Sequence, residues 1–443
     1  MATEVLTMSA DLLEARPTLR AWLDEYAAIE ADYLARLADW GIRIAPRDAD
    51  ADVVRAAKDR LREKGAQFRN GDAGIVCGNL SSACVACTGG RGSKTFFLSL
   101  ACNRSCYFCF NANQADYADR LRVNDAWRDE VDAFADACGG EVTHVGLTGG
   151  GEPLLHADES VAFCAYVRQR FPRAHIRLYT AGDFLDEPLL DRLRDAGLDE
   201  LRMSIKLDVL DVDRADEIID DAVDVLARAK RFIPQVMVEM PVIPGTGKAM
   251  RRLLDRLDQV GAFGINLLEF CYPMGAWDEF ERRGFSVKNP PFPVLYDYGY
   301  AGGLPLAGSE SLCLELLEYA LDEGLSLGVH YCSLENKHRD QICVQNGACS
   351  VDAGVYERDP HDFFLKTVKV FDGDVSLARR ALEACGIGAF SLEDEGLSLA
   401  FHPRHISIVQ ALPVVLCRSI NVLEETADGF IVRELKLEPV KGA

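Results

Sequence analysis

Six short apolar runs, each followed by a stretch of other character, constrain the fold of this chain more than any other feature. The runs are Thr95–Leu100, Val142–Leu147, His175–Tyr179, Glu200–Ile205, Val236–Val242 and Ile265–Phe270. Segments of helical periodicity fit between them, for example Leu189–Ala196, Ala215–Arg231 and Lys248–Val260. Strands that alternate with helices favour a parallel sheet with both faces covered, so we predict an α/β fold. Sites in such folds form at the carboxyl ends of the strands.

Three closely spaced cysteines, Cys102, Cys106 and Cys109, follow the first of these runs. Thiolates at this spacing can hold three corners of a cubic 4Fe-4S cluster. No fourth cysteine follows at short range, so one iron is left open for an outside ligand. The alternatives are a zinc site or three unrelated core cysteines, although zinc sites more often pair two C-x-x-C hooks.

The spacing of these cysteines, with the aromatic Phe108 directly before Cys109, resembles the cluster loop of the radical SAM superfamily. This resemblance implies that the open iron binds the amino and carboxylate groups of S-adenosylmethionine. It also implies reductive cleavage of that cofactor to a 5'-deoxyadenosyl radical. The fold it implies is a partial (β/α)6 barrel, which six strand–helix units match.

A glycine-rich turn, Thr148–Pro153, ends the second predicted strand. Glycines permit a close backbone approach, and a tight strand–helix connection alone would also explain them. However, Gly150, Gly151, Glu152 and Pro153 match the GGE motif of the radical SAM superfamily and lie one βα unit after the cysteine loop. The resemblance implies that their backbone meets the amino group of S-adenosylmethionine.

The same resemblance implies further cofactor-binding positions at the ends of later strands. Thr180 ends the third strand, Ser204 in the fourth could bond the ribose, and Lys206 could meet the cofactor carboxylate. The segment Met240–Gly245 ends the fifth strand, where this family packs apolar residues around adenine. For each position the alternative is a barrel residue paired within the protein.

A second group of cysteines, Cys77, Cys84 and Cys87, lies just before the predicted barrel. One C-x-x-C hook with a third thiol in a loop rich in glycine and serine is a credible metal half-site. Cys332, at the end of an apolar run, is our choice for the fourth ligand. The pattern leaves open a second Fe-S cluster and a single tetrahedral iron or zinc. We favour a structural metal that joins this loop to the barrel.

A narrower resemblance concerns the reaction. The segments 77–87, 90–97 and 109–114 resemble the methanogenesis-marker radical SAM proteins, which methylate an arginine of methyl-coenzyme M reductase with cobalamin. The resemblance implies a protein substrate and a bound cobalamin that the carboxy-terminal domain helps to enclose. No Asp-x-His-x-x-Gly stretch is present, so an axial-histidine corrin site is not supported.

Two other functions fit the motifs. The first is a radical SAM maturase that modifies a protein or peptide side chain without cobalamin, with the extra cysteines around an auxiliary metal centre. The second, from a different class, is a metallocluster assembly scaffold, and the intact glycine–glutamate motif argues against it. Either enzyme would use an electron donor such as flavodoxin or ferredoxin.

The remaining pattern divides the chain into five segments. They are an N-terminal helical cap (1–67), an irregular cysteine-containing loop (68–93), the barrel (94–275), an insertion or lid with the second cysteine cluster (276–351) and a small α+β domain (352–443). In the last segment we predict strands at Leu365–Phe371, Leu397–Phe401, Val414–Leu423 and Phe430–Leu437, with helices at Val375–Cys385 and His405–Leu412.

Composition limits the partners and the location of this 443-residue chain. Its net charge of -22 disfavours a nucleic-acid substrate, because phosphate binding needs clustered Lys and Arg. Neither a signal peptide nor an apolar run long enough to span a membrane is evident. Fifteen cysteines in such a chain indicate metal ligation and reduced thiols. We therefore expect a cytoplasmic enzyme.

Overall fold

The computed structural model describes residues 10–89, 92–111, 117–148, 150–208, 212–275, 277–294 and 303–440. These residues fall into two units. The barrel unit contains the described residues of Ile42–Pro291 and Tyr298–His338. The terminal unit contains those of Met1–Gly41, Phe292–Asp297 and Arg339–Ala443.

A nine-stranded sheet forms the centre of the barrel unit. Its strands are β1 (Gln67–Arg69), β2 (Gly74–Cys77), β3 (Ser93–Phe96), β4 (His144–Leu147), β5 (His175–Thr180), β6 (Glu200–Met203), β7 (Gln235–Val242), β8 (Gly264–Glu269) and β11 (Gly328–Cys332). A separate pair comprises β9 (Cys271–Tyr272) and β10 (Leu304–Pro305). The order in the sheet is β1-β2-β11-β8-β7-β6-β5-β4-β3. Strands β3 to β8 and β11 are parallel, whereas β2 is antiparallel to β11 and to β1.

Helices cover the outer face of this sheet. They are α3 (Ala51–Glu63), α5 (Trp127–Ala137), α6 (Ala157–Arg170), α7 (Glu187–Asp195), α8 (Val212–Ala229), α9 (Gly247–Gln259) and α11 (Ser309–Asp322). Two short helices lie elsewhere, α4 (Ser82–Ala86), whose Cys84 contacts Arg202 on the inner face, and α10 (Trp277–Arg282), whose Phe280 packs on Phe270. Helix α12 (Leu334–Gln345) begins in this unit. Helix α7 begins where the Asp186 carboxylate accepts a hydrogen bond from the Leu189 N–H at 2.8 Å, which satisfies a free amide of the first turn. The helix then buries Leu189, Leu190 and Leu193.

Strand alternation separates an apolar outer face of the sheet from a polar inner face. On β5, Ile176 and Leu178 join the apolar core under the helices. Each such fully buried side chain contributes about 1.5–3 kcal/mol to folding. The residues that alternate with them on β5, such as Arg177, point into the barrel. The polar inner face comprises Arg177, Arg202, Glu239, Asn266 and His330.

The predicted α/β fold and its six parallel strands are confirmed. Two parts of the sheet differ from the prediction. The apolar run before Cys332 is β11, a seventh parallel strand beside β8. The segment 68–93, predicted to be irregular, instead contains all of β2 and α4 and most of β1. These strands have only three to five residues each, and β2 and β11 begin at Gly74 and Gly328, so their sequence has too little periodicity to show a strand.

The terminal unit is built on an antiparallel sheet in the order β14-β15-β13-β16-β17, with β12 beside β13. Its strands are β12 (Glu357–Arg358), β13 (Leu365–Phe371), β14 (Phe390–Glu393), β15 (Ser398–Phe401), β16 (Leu416–Thr426) and β17 (Gly429–Val440). Its helices are α1 (Ala10–Glu14), α2 (Pro17–Asp39), α13 (Asp374–Ala384) and α14 (Ile406–Gln410). The four strands and two helices predicted after residue 352 are all present, and β12 and β14 are additions.

The predicted helical cap is divided between the two units. In the terminal unit, Leu19 of α2 packs with Phe371 and Leu437, and Arg16 pairs with Asp374 at 2.7 Å. In the barrel unit, α3 lies against α11, where Lys58 of α3 pairs with Glu310 at 2.8 Å. Residues 1–67 are therefore not a single cap in this structure. None of the helices in the described ranges is long and apolar enough to cross a lipid bilayer.

Candidate active site

The three predicted cluster cysteines lie on one loop beyond the carboxyl end of β3. Cys102 is exposed, whereas Cys106 and Cys109 are half-buried. The Cys109 N–H donates to the Cys106 carbonyl at 3.1 Å, and the Arg104 N–H donates to the Cys102 Sγ at 3.4 Å. Burial raises the pKa of the Cys102 and Cys106 thiols, while the charge of Lys206 acts in the opposite direction on Cys106. Lys206 is therefore a neighbour of the loop.

The donor set of this loop fits a cluster better than a single ion. Within the described ranges, no three His, Cys, Asp or Glu side chains converge closely enough to hold one metal ion. A cubane requires one thiolate for each of three irons and is held by cysteines. Cys102, Cys106 and Cys109 provide three such thiols from one loop, next to a cationic side chain.

Charged hydrogen bonds attach the cysteine loop to the end of β5. The Asn103 Nδ2 and the Arg104 Nε each donate to the Asp183 Oδ2 at 2.7 Å. A second nitrogen of the Arg104 guanidinium donates to the Asp183 Oδ1, so the pair is bidentate. The hydrogen bond from Arg104 holds the pKa of the Asp183 carboxyl below its usual range.

The glycine-rich turn lies directly against the segment that leads into the cysteine loop. The Glu152 N–H donates to the Ala101 carbonyl at 2.8 Å. A Cβ atom on Gly151 would lie 2.3 Å from that same oxygen, and one on Gly150 would lie 3.0 Å from the Leu100 side chain. Only glycine fits at Gly151 without moving the backbone. The third glycine, at position 149, lies outside the described residues.

The Glu152 side chain joins the ends of β4 and β5. It is 2% exposed and accepts hydrogen bonds from the Thr180 hydroxyl at 2.7 Å, the Ala181 N–H at 2.7 Å and the Leu154 N–H at 3.1 Å. Burial raises the pKa of this carboxyl, and the three hydrogen bonds oppose the rise. Pro153, also buried, begins a short 3-10 turn. Glu152 and Thr180 thus hold each other, and their contact with a cofactor stays a prediction.

A cavity of about 420 Å³ lies between the ends of β5 and β6 and helix α8. Its lining includes Ser204 and Lys206 together with Arg104 of the cysteine loop and Ala181. The Ser204 N–H donates to the Thr180 carbonyl at 2.9 Å, and the Lys206 Nζ lies 4.0 Å from an Asp208 carboxylate oxygen. This volume lies within the range typical of small-molecule sites. Two predicted cofactor-binding residues therefore share one cavity beside the cysteine loop.

Residues 97–257 match the family model described as the radical SAM superfamily. The match begins at the end of β3 and includes the cysteine loop, the glycine turn and the lining of the cavity. This part of the chain is a radical SAM domain.

Individual proteins similar to the chain include one curated relative and several solved structures. A candidate glycyl-radical enzyme activating enzyme of Methanocaldococcus jannaschii is 27% identical over 372 residues, which cover 81% of this chain and 93% of the relative. Methylornithine synthase is 16% identical with a TM-score of 0.37, and the match covers 75% of this chain and 96% of that one. A cobalamin-bound radical S-adenosylmethionine methyltransferase of Kitasatospora setae has 16% identity, a TM-score of 0.33 and coverages of 55% and 50%. TM-scores this low carry no argument about substrate.

An aromatic cluster packs on one side of the cysteine loop of the radical SAM domain. The Tyr107 and Phe108 rings contact Phe270 edge to face, at centroid distances of 6.3 and 5.6 Å. Tyr107 also contacts Phe280, and the Arg283 guanidinium lies 3.9 Å from the Tyr107 ring centroid. Sequence reasoning missed this cluster, although the aromatic-rich segment after Phe270 was the available signal.

A polar network fills the interior of the barrel. Arg202 donates to Glu239 at 2.6 Å and to Glu200, and Asn266 donates to Glu239 at 2.6 Å. Although burial opposes it, the charge of Arg202 keeps the pKa of Glu239 below its usual range. The Cys84 Sγ accepts from Arg202 and from Asn266, each at 3.3 Å. The predicted metal half-site thus has one thiol inside the barrel.

The four cysteines predicted to share a second metal do not all come together. Cys77 of β2 lies in the apolar core with Ile75, and burial raises the pKa of its thiol to about 11. Cys332 accepts from the Asn336 side chain at 3.4 Å, and burial raises the pKa of its thiol to about 12, with smaller effects from the charges of Cys87 and Cys84. Among the described residues, these thiols do not form a group of three that could hold one metal ion. Strand alternation directs Cys77 to the opposite face of the sheet, which the prediction did not foresee.

Proposed function

We propose that this chain is a radical SAM enzyme that modifies a side chain of a protein or peptide. The observation that carries the proposal is the convergence of the cysteine loop, the glycine turn and the cavity at the carboxyl ends of β3 to β6. Cys102, Cys106 and Cys109 would hold a 4Fe-4S cluster, and S-adenosylmethionine would occupy the adjacent cavity. When bound, these two groups supply the electron and the carbon–sulfur bond whose cleavage yields a 5'-deoxyadenosyl radical.

The protein contributes position and charge. Gly150 and Gly151 lie against the segment that leads into the cysteine loop, where their backbone groups could meet an amino group. Lys206, half-buried at the cavity wall, offers an ammonium to a carboxylate, and Ser204 offers a hydroxyl to a ribose. The hydrogen bond between Glu152 and Thr180 fixes the two strand ends between which these groups lie. Such preorganisation is the part of catalysis that a protein supplies to a cofactor reaction.

A protein substrate is supported by the relative from Methanocaldococcus jannaschii, whose name describes activation of another enzyme. We further propose flavodoxin or ferredoxin as the class of electron donor and the cytoplasm as the location. Cobalamin-dependent methylation and a second metal centre, predicted at Cys77, Cys84, Cys87 and Cys332, stay predictions. The segments 90–91 and 112–114, which contributed to the methylation prediction, lie outside the described residues.

Formation of 5'-deoxyadenosine tests the proposed enzyme. Protein reconstituted anaerobically with iron and sulfide, then reduced with dithionite, should convert S-adenosylmethionine to 5'-deoxyadenosine and methionine. Cys106→Ala should reduce the product to background, whereas Cys385→Ala, at an exposed cysteine of the terminal unit, should match the wild type. If the wild type binds iron but does not cleave S-adenosylmethionine, the result would instead favour the metallocluster assembly scaffold. Corrin absorption bands in the purified protein would establish cobalamin.

A further inference from the structure

Two arginines on the inner face of the barrel are equally buried but have very different partners. Arg177 of β5 is 4% exposed and Arg202 of β6 is 3% exposed. Arg202 forms ion pairs with the carboxylates of Glu200 and Glu239. Arg177 donates to two neutral oxygens, the Thr95 hydroxyl at 3.0 Å and the Tyr179 hydroxyl at 3.1 Å. Its Nη1 has no hydrogen-bond partner among the described residues.

This difference matters because a buried charge without a counter-ion is strongly destabilising. Arginine cannot lose its charge at ordinary pH, so Arg177 stays cationic in the barrel interior. Proteins tolerate such destabilising groups where function requires them. Glu200 stands opposite Arg177 in the register of β5 and β6, but its carboxylate is bonded to Ser81, His175 and Arg202. An anion from a bound ligand would give Arg177 a bonded partner of its own.

The position of Arg177 relates it to the radical site. It precedes Thr180 by three residues on β5, and Thr180 holds Glu152 at the strand end. At about 3.3 Å per residue, Arg177 lies roughly 10 Å below the level of the strand ends. A substrate whose reacting carbon lies at the strand ends could therefore place a group about 10 Å away beside Arg177.

A second cavity, of about 450 Å³, lies beside Thr95 along β3, which is an edge strand of the sheet. Thr95 links this cavity to Arg177, because it lines the cavity and its hydroxyl accepts a hydrogen bond from the Arg177 side chain. In a chain with a net charge of -22, an excess of cations around one cavity favours an anion. The charged side chains of the lining are Lys94, Arg120, Arg122, Asp119 and Glu130.

We propose that Arg177 binds a carboxylate of the substrate, which reaches it from the cavity at the edge of β3. The inference rests on the proposed function and defines the substrate more closely. It is a peptide segment with a carboxylate, from an acidic side chain or a chain terminus, about 10 Å from the reacting carbon. The Nη1 of Arg177 donates to this carboxylate, while Thr95 and Tyr179 orient the guanidinium.

Thermal unfolding of two matched variants tests the missing counter-ion. In the reconstituted protein, Arg177→Gln should unfold at the wild-type temperature or above it, because it removes a buried charge that is bonded to no carboxylate. Arg202→Gln should unfold at a lower temperature, because it leaves Glu200 and Glu239 without their cation. An equal loss in both variants would mean that Arg177 has an internal counter-ion, such as the Glu200 carboxylate opposite it on β6, and would overturn the proposal.

Binding of small probes tests the carboxylate site directly. At constant ionic strength, N-acetylglutamate α-amide or N-acetylalanine should raise the unfolding temperature of the reconstituted wild type, whereas neutral N-acetylglutamine α-amide should not. The rise should disappear in Arg177→Gln and persist in Arg194→Gln, a surface variant of α7. A response to the first probe assigns an acidic side chain, and a response to the second assigns a chain terminus. No rise with either probe, or the same rise in Arg177→Gln, overturns the proposal.

The two proposals can fail separately. Formation of 5'-deoxyadenosine by the wild type depends on the cysteine loop and not on a carboxylate at Arg177. If that product is absent while the probe response persists, the radical function is rejected and the carboxylate site stands. If the product forms without any probe response, only the carboxylate site is rejected.

Discussion

Glu152 and the cysteine loop lie at the same end of the barrel, yet the protein holds them in opposite ways. Glu152 is 2% exposed, and its carboxylate accepts three hydrogen bonds from the protein. Cys102 is exposed, and Cys106 and Cys109 are half-buried. We call Glu152 and its three donors, Thr180, Ala181 and Leu154, the Glu152 frame. The hydrogen bonds of this frame are all made within the protein, whereas the three thiols are available to a ligand. Changes to the frame should affect folding, and changes to the loop should affect the cluster.

Gly151→Ala should have the largest effect, because Gly151 lies where the frame meets the loop. The new methyl group would lie 2.3 Å from the Ala101 carbonyl oxygen, so the turn and the loop must separate. A displacement of about 1 Å at a catalytic site can reduce the rate about 100-fold, and we expect such a loss in 5'-deoxyadenosine formation. Gly373→Ala is the control, because nothing lies within 4 Å of the Cβ position there. Wild-type activity of Gly151→Ala would show that the turn does not define the site.

Glu152→Gln should have a smaller effect, mainly on folding. Glutamine offers one acceptor oxygen, so its NH₂ group faces either the Ala181 N–H or both the Leu154 N–H and the Thr180 hydroxyl. An unsatisfied buried polar group costs about 1–3 kcal/mol, which should appear in the free energy of unfolding in urea. The exposed Glu217→Gln on α8 should change it little. If Glu152→Gln lost iron but kept its stability, Glu152 would act on the cluster and not on folding, contrary to this account.

Asp183→Asn should have the smallest effect, since the ion pair with Arg104 is about one-third exposed. We expect a loss of about 0.5–1 kcal/mol at neutral pH, typical of partly solvated pairs. Because Arg104 lowers the pKa of Asp183 below 3.8, the stabilisation is present above that value and is lost as pH falls through the folded-state pKa. Urea unfolding of both proteins should therefore differ at pH 7 and converge in acid. A difference that persists in acid would exclude the ion pair as its cause.

The parts of the fold and of the candidate site that could be predicted from the sequence are those with a local pattern. The thiol spacing, the glycine motif and the six apolar runs each lie within a few residues, so the sequence shows them directly. Contacts between strands depend on register, which no local pattern contains. The hydrogen bond between Glu152 and Thr180 and the unpaired Nη1 of Arg177 are of this kind. The position of Cys77 followed from strand alternation only once β2 was known to be a strand.

Electron paramagnetic resonance of the reduced protein, with and without S-adenosylmethionine, tests the central claim most directly. We predict a 4Fe-4S signal whose g values change when S-adenosylmethionine is added, because the cofactor binds the open iron. The variant with Cys102, Cys106 and Cys109 all changed to Ala should lose that signal and about four irons per chain. A cluster signal that is unchanged by S-adenosylmethionine, or that survives in the triple variant, would contradict the account.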